Sequence, residues 1–215
     1  LFLQEKPGTK AKTMSTHTMY NRVNALRSFF GWLHRQGYTD EHVLQNLKQP
    51  KTADLVIEPL NREEIDQIMR TINPKTALGA RNTALVNIML DTGLRISEVA
   101  GLKDRDVHLE GQYLKAMGKG VQGRVVSFGT ACREALFQYR QRYRGDPAHS
   151  KVKTFFLSID GYPLTADSLK SLIKRMSKSS GVDRLHPHLL RHTYATMFLL
   201  NGGDVFLLKP WAIPH

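Results

Sequence analysis

Residues 186–196 read HPHLLRHTYAT. Together with DTGLRISEVAGL at 91–102 and GKGVQGRVVSF at 118–128, this stretch decides how the chain is read. The apolar spacing predicts a helix over His188–Leu200. His188 precedes Arg191 by three residues, so both share one helical face near its start. That end carries partial positive charge and suits an anion. His188 and His192 stand four apart, as in zinc-binding HExxH helices, but Leu189 follows His188 and the general-base Glu is missing. No metal site is expected there, with or without His186.

Outward from this stretch, the periodicity is mostly helical. Met19, Val23, Leu26, Phe29, Phe30 and Leu33 recur every three or four residues, predicting a helix over Ser15–Gln36 that Gly37 ends. A short helix is expected over Glu41–Leu47, begun by Asp40, and then a linker over Lys48–Pro59 with two prolines and no helical period. Asn61 and Glu64 have capping-box spacing. A buried helix over Gly79–Asp91 follows. Between Val107 and Phe128 the period changes, and VHL, YLKAM and RVVSF read as short strands of a meander. Helices over Ala131–Tyr143 and Ala166–Ser179 and a strand over Thr154–Ile159 complete the expectation of a mainly α chain.

The 215 residues hold 31 Lys and Arg against 19 Asp and Glu, a formal charge of +12, with 41% hydrophobic residues. This balance excludes a disordered or collagen-like chain. The excess charge points to a polyanion, nucleic acid first. No apolar run nears the roughly 18 residues of a membrane span. A lone cysteine, Cys132, and the lack of a secretory signal suit a reducing, cytoplasmic setting. Two acid-free runs stand out. Lys6, Lys10, Lys12, Arg22, Arg27 and Arg35 lie between Glu5 and Asp40, and Lys170, Lys174, Arg175 and Lys178 lie between Asp167 and Asp183. Two such runs suit a grip on a phosphate backbone from two sides, although each alone also reads as a solvated helix face.

Other motifs fail on context. Residues 118–123 match GxGxxG, but a strand-like run follows where a dinucleotide site needs a helix. Asp104 and Asp106 have no third carboxylate to make a nuclease site. Alone, Arg95 reads equally as a surface arginine pairing with Glu98, and Lys119 as a turn lysine.

Taken in order, the three stretches resemble the catalytic domain of tyrosine site-specific recombinases, the family of phage integrases and chromosome-dimer-resolving enzymes. The resemblance covers nearly all of residues 15–208. It implies a two-domain, C-shaped clamp on double-stranded DNA. Residues 1–50 would form part of a helical DNA-clamp domain, 51–60 a linker and 61–215 the catalytic domain. Such enzymes cut DNA through a tyrosine that forms a 3′-phosphotyrosyl bond, with no metal, ATP or other cofactor. The resemblance casts Arg95 and Arg191 as holders of the phosphate oxygens and Lys119 as general acid to the leaving 5′-oxygen. His188 would assist proton transfer at the nucleophile or bind a phosphate oxygen, and His192 would pack behind the site. Residues expected to touch DNA are Lys12, His17, Arg22, Arg27, Arg124, Lys170, Lys174 and Arg175. Other recombinase protomers are the implied protein partners, since the family's synapse is tetrameric.

The chain departs from the family near its end. NGGDVFLL, 201–208, is kept, but KPWAIPH follows in place of an LGH segment and a later tyrosine. Codons for Thr-Leu-Gly-His-Ser shifted by one base encode Pro-Trp-Ala-Ile-Pro, the residues 210–214, so a frameshift is expected, beside a natural short form or an assembly break. Tyr194 is the only tyrosine after His188 and reads as a packing aromatic. The chain is therefore expected to be inactive alone. The alternative is a catalytically dead DNA-binding module that competes for recombination sites or regulates an intact partner.

Overall fold

The structure, a computed structural model, describes residues 14–51, 57–117, 123–206 and 208. The chain divides into two compact units, residues 1–57 and 58–215.

In the first unit, helix α1 spans Thr16–Arg35. Ser15 Oγ caps it by accepting from Thr18 N at 3.3 Å. At its other end Gly37, at φ +76°, lets Gly37 N reach His34 O and Tyr38 N reach Leu33 O, both at 3.0 Å. The expected apolar stripe is only partly covered: Val23 is buried, but Phe29 and Trp32 are exposed and stack at 6.2 Å. Glu41–Leu47 is not a helix. Gln45 N bonds His42 O and Leu47 N bonds Leu44 O, two isolated turns. So short a run cannot repay helix nucleation, and its Val43 and Leu47 stay exposed rather than buried in a core.

The second unit begins with α2, Arg62–Arg70, whose capping box forms between Asn61 and Glu64 as the spacing predicts. Helix α3, Ala77–Thr92, is buried on almost every side and is the centre of the core, with Leu85, Ile88 and Met89 inaccessible. Gly93 stops it at φ +59°, and α4, Ile96–Gly101, follows. Strands β1 (Val107–His108), β2 (Tyr113–Met117) and β3 (Gly123–Ser127) form one antiparallel sheet in that order. The register pairs Leu114 with Val126 and Met117 with Gly123. Helix α5, Thr130–Gln138, runs into a π-helical turn, Tyr139–Tyr143. Helices α6, Ala166–Ser180, and α7, Pro187–Leu200, close the unit. The core joins α3 to Leu136, Phe155, Phe156, Leu169 and Leu189.

The expected strand at Thr154–Ile159 is absent as a ladder; only the isolated bridges Lys103 with Thr154 and Leu157 with Pro163 form. Side chains take the place of a neighbouring strand. Arg144 donates to Phe155 O at 2.8 Å and Thr154 O at 2.9 Å, Arg81 donates to Leu157 O at 3.1 Å, and Leu157 N donates to the Tyr139 hydroxyl at 3.0 Å. Buried backbone groups need partners, and here arginines and a tyrosine supply them. No described helix is long and apolar enough to cross a membrane.

Candidate functional site

The site forms where α3 ends. Gly93 takes a left-handed turn that other residues resist. A Cβ on it would collide with the Tyr194 ring from α7, so this glycine also permits the close approach of α7. The carbonyl of Gly93 accepts a hydrogen bond from Arg191 Nη1. Two residues later Arg95 stands at the N-cap of α4. One glycine thus joins the helix that carries Arg191 to the turn that carries Arg95.

Glu98 organises the charges. Its carboxylate is almost wholly buried, with 4% side-chain exposure. It accepts from Arg95 N at 2.7 Å and from Arg124 Nη1 and Nη2 at 2.8 and 2.9 Å, a bidentate fork. Arg95 Nη1 lies 3.6 Å away while its side chain remains 42% exposed. Burial pushes the Glu98 carboxyl up. The hydrogen bonds from Arg124 and the Arg95 N–H, and the charges of both arginines, outweigh it and hold the group below the ordinary carboxylate range.

Arg191 is the complement of Arg95. Burial, and then the nearby Arg95 charge, push its guanidinium down to about 10, partly offset by Glu98. Arg191 Nη2 is buried with no hydrogen-bond partner. An unsatisfied buried donor costs about 1–3 kcal/mol, so it is a place where a ligand oxygen is welcome.

His188 is exposed at the second position of α7, behind Pro187. The helix starts earlier than its apolar period suggests: His186 is the N-cap, and its Nδ1 accepts from Leu189 N at 2.9 Å. Its ring lies 6.5 Å from that of His188. Thr193, buried one turn on, accepts from Leu60 N at 2.9 Å and ties α7 to the start of the unit. Lys119 and Lys12 lie outside the described residues. The residues flanking Lys119's turn, Met117 and Gly123, are paired across β2 and β3.

The other expected DNA contacts fall into three groups. His17 and Arg22 are exposed on α1, while Arg27 is half-buried and donates to Gln45 O at 3.4 Å. Spacings of five turn each of these about 140° from the last, so they do not share a face. Lys170 and Lys174 are exposed one turn apart on α6, with Lys170 also 2.9 Å from Asp167. Arg124 faces Glu98, and Arg175 lines a cleft beside Arg81. Sequence reasoning saw Glu98 only as a surface partner for Arg95. Its hub role was legible in the three-residue spacing, but its bond to Arg124 crosses 26 positions.

The model of the phage integrase family matches residues 58–209. The chain belongs to that family. Among curated relatives, tyrosine recombinase XerC of Bacillus pumilus is 33% identical over 199 residues, covering 90% of this chain and 65% of the relative. XerD of Listeria innocua is 30% identical over 194 residues, covering 89% and 65%. The chain thus spans a little under two thirds of the length of these relatives. Of the solved structures, XerA recombinase is 27% identical with a TM-score of 0.64, covering 94% of this chain and 69% of that one. The Tn1549 transposon integrase in complex with a circular intermediate DNA, at 20% identity and a TM-score of 0.75, covers 93% and 72%. The mainly helical fold with its three-stranded sheet is that of tyrosine-recombinase catalytic domains.

Proposed function

We propose that this chain binds double-stranded DNA and supplies the phosphate-activating half of a tyrosine recombinase site for site-specific recombination. The observation that carries this is the junction at Gly93, whose carbonyl holds Arg191 two residues before Arg95 at the N-cap of α4, with Arg191 Nη2 left without a partner. Two planar forks around one phosphate would oppose the negative charge that grows on its non-bridging oxygens. Lys119, in the β2–β3 turn, would give its proton to the leaving 5′-oxygen. His188, at the positive end of α7, would bind a phosphate oxygen or move the nucleophile's proton. Glu98 holds Arg95 and spares the site the mutual repulsion of three arginines. Residues 1–50, through His17, Arg22 and Lys12, and α6, through Lys170 and Lys174, would grip the duplex, with further protomers completing an assembly on DNA.

In this reading the 215 residues do not cut DNA alone. Tyr194, the only tyrosine after His188, packs on Gly93 and Phe198, and burial raises its phenol. The test uses suicide DNA substrates and gel retardation. The chain alone should retard DNA in a salt-sensitive way and form no covalent adduct. Mixed with a tyrosine-bearing recombinase subunit whose own two arginines are replaced, it should restore cleavage, and Arg191→Lys in this chain should abolish that rescue. Failure to bind DNA at low salt would sink the proposal. Binding without rescue would favour the alternative, a module that occupies recombination sites without reacting.

A further inference from the structure

A second pair of arginines stands away from the site, and no carboxylate among the described residues accompanies it. Arg81, on α3, is 7% exposed. Its Nη1 donates to Leu157 O at 3.1 Å, and its Nε and Nη2 donate to Asn82 Oδ1 at 3.3 and 3.2 Å. These acceptors are neutral: they satisfy hydrogen bonds but leave the charge uncompensated. Buried charges are ordinarily paired, because an isolated one keeps its desolvation cost.

The group closest in charge makes this worse. Arg81 lines a cleft of about 360 Å³ between the α2–α3 connection, α3 and α6, together with Arg175. Burial lowers Arg81 below the ordinary arginine range, and the Arg175 charge adds to that, with Tyr139 offsetting part. No acidic residue lines the cleft. Asn73, also in the lining, uses its Oδ1 to accept from Lys75 N at 3.1 Å, which leaves its Nδ2 as a donor. On α6, Lys170, Lys174 and Lys178 recur every fourth residue as one outward stripe, whereas Arg175 lies about 100° round the helix, on the flank of Leu172 and Ser179 that faces the cleft. Arg81 stands eleven residues before the end of α3, about 18 Å along the helix axis from the Gly93 junction.

We propose that this cleft is a second anion site, which takes a phosphate group between the guanidinium forks of Arg81 and Arg175. The exposed Arg175 fork matches phosphate oxygens in pairs, Arg81 adds the second N–H of each Nη, and the anion supplies the charge that Asn82 and Leu157 cannot. The phosphate belongs either to a bound DNA backbone or to a free phosphate-bearing molecule. The inference does not rest on the recombination reading, since none of its residues belongs to the Arg95–Arg191 site.

The test uses the whole chain carrying R95Q and R191Q, so that the Arg95–Arg191 site does not compete for the probe, inorganic phosphate. Titration by calorimetry, with chloride at matched ionic strength as the reference, should show one saturable phosphate site. Arg175→Gln, an exposed change, should weaken it at least tenfold. Arg81→Met should do the same, with circular dichroism confirming that the helices persist. Duplex DNA that displaces the phosphate, with the salt slope of DNA binding falling by about 0.9 in Arg175→Gln, assigns the group to the DNA backbone. Phosphate that stays bound beside DNA assigns it to a free ligand. The absence of saturable phosphate binding, or binding unchanged in Arg175→Gln, overturns the proposal.

Discussion

Two groups of arginines sit toward the two ends of α3 and are compensated in opposite ways. Beyond its C-terminal end, a single buried carboxylate, Glu98, holds Arg124 at 2.8 Å and Arg95 at 3.6 Å, and its influence reaches Arg191. Toward its N-terminal end, Arg81 has only an amide oxygen and a backbone carbonyl. The supply of carboxylate, not the number of arginines, sets what each group does. Around Glu98 the repulsion is paid down in advance, so Arg95 and Arg191 stay fixed with donors to spare. In the cleft the charge remains open.

The sharpest way to break this comparison is to remove the carboxylate. Glu98→Gln leaves three guanidiniums without the charge that compensates them and turns one of the two oxygens that the Arg124 fork donates to into an NH2 that cannot accept; losing one member of a buried pair costs about 3–5 kcal/mol. Chemical denaturation at pH 7 should show that loss. The pH dependence has a definite sign. The folded-state group lies below its ordinary value of 4.5, so its stabilisation is present above that value and is lost as pH falls through the folded value. The gap between the two proteins should therefore narrow as the pH falls below 4.5. A variant as stable as the parent at pH 7 would mean that Glu98 is not the hub.

A smaller effect is expected at the joint itself. Gly93→Ala puts a side chain in a left-handed backbone, which costs about 1–2 kcal/mol, and drives it against the Tyr194 ring. In a Tyr194→Ala background the cost should shrink toward the backbone share alone, and denaturation of the four proteins measures the coupling. An unchanged cost would show that the ring yields freely and that Gly93 matters only for its turn.

The parts of this arrangement that lie close in sequence were legible. The Asn61–Glu64 cap, the glycine stop at Gly37 and the meander between Val107 and Phe128 all rest on neighbours a few residues apart. Even Arg95 with Glu98 is an i, i+3 pair. What was not legible depends on distant partners. The Thr154–Ile159 stretch has the composition of a strand, yet Arg144, Arg81 and Tyr139 satisfy part of its backbone in place of a neighbouring strand. Glu41–Leu47 was expected to be a helix, but its Val43 and Leu47 find no core to be buried in. The Arg124–Glu98 fork and the Arg81 cleft join segments that no periodicity connects. His186 was passed over as a cap because the apolar pattern starts two residues after it.

The smallest expected effect comes from a charge that water already compensates. Lys170 lies 2.9 Å from Asp167, but the two side chains are 57% and 89% exposed, and exposed pairs of this type add little to stability. Lys170→Ala should leave the denaturation midpoint unmoved. If α6 tracks a DNA backbone, the same change should lower the salt slope of DNA binding by about 0.9, because one fewer phosphate is neutralised. The two readouts separate the roles cleanly: Glu98 acts on the fold and only through it on the site, whereas Lys170 acts on the ligand alone. A change at Lys170 that moved stability but not the salt slope would place that lysine with the structural charges and take the α6 stripe off the DNA.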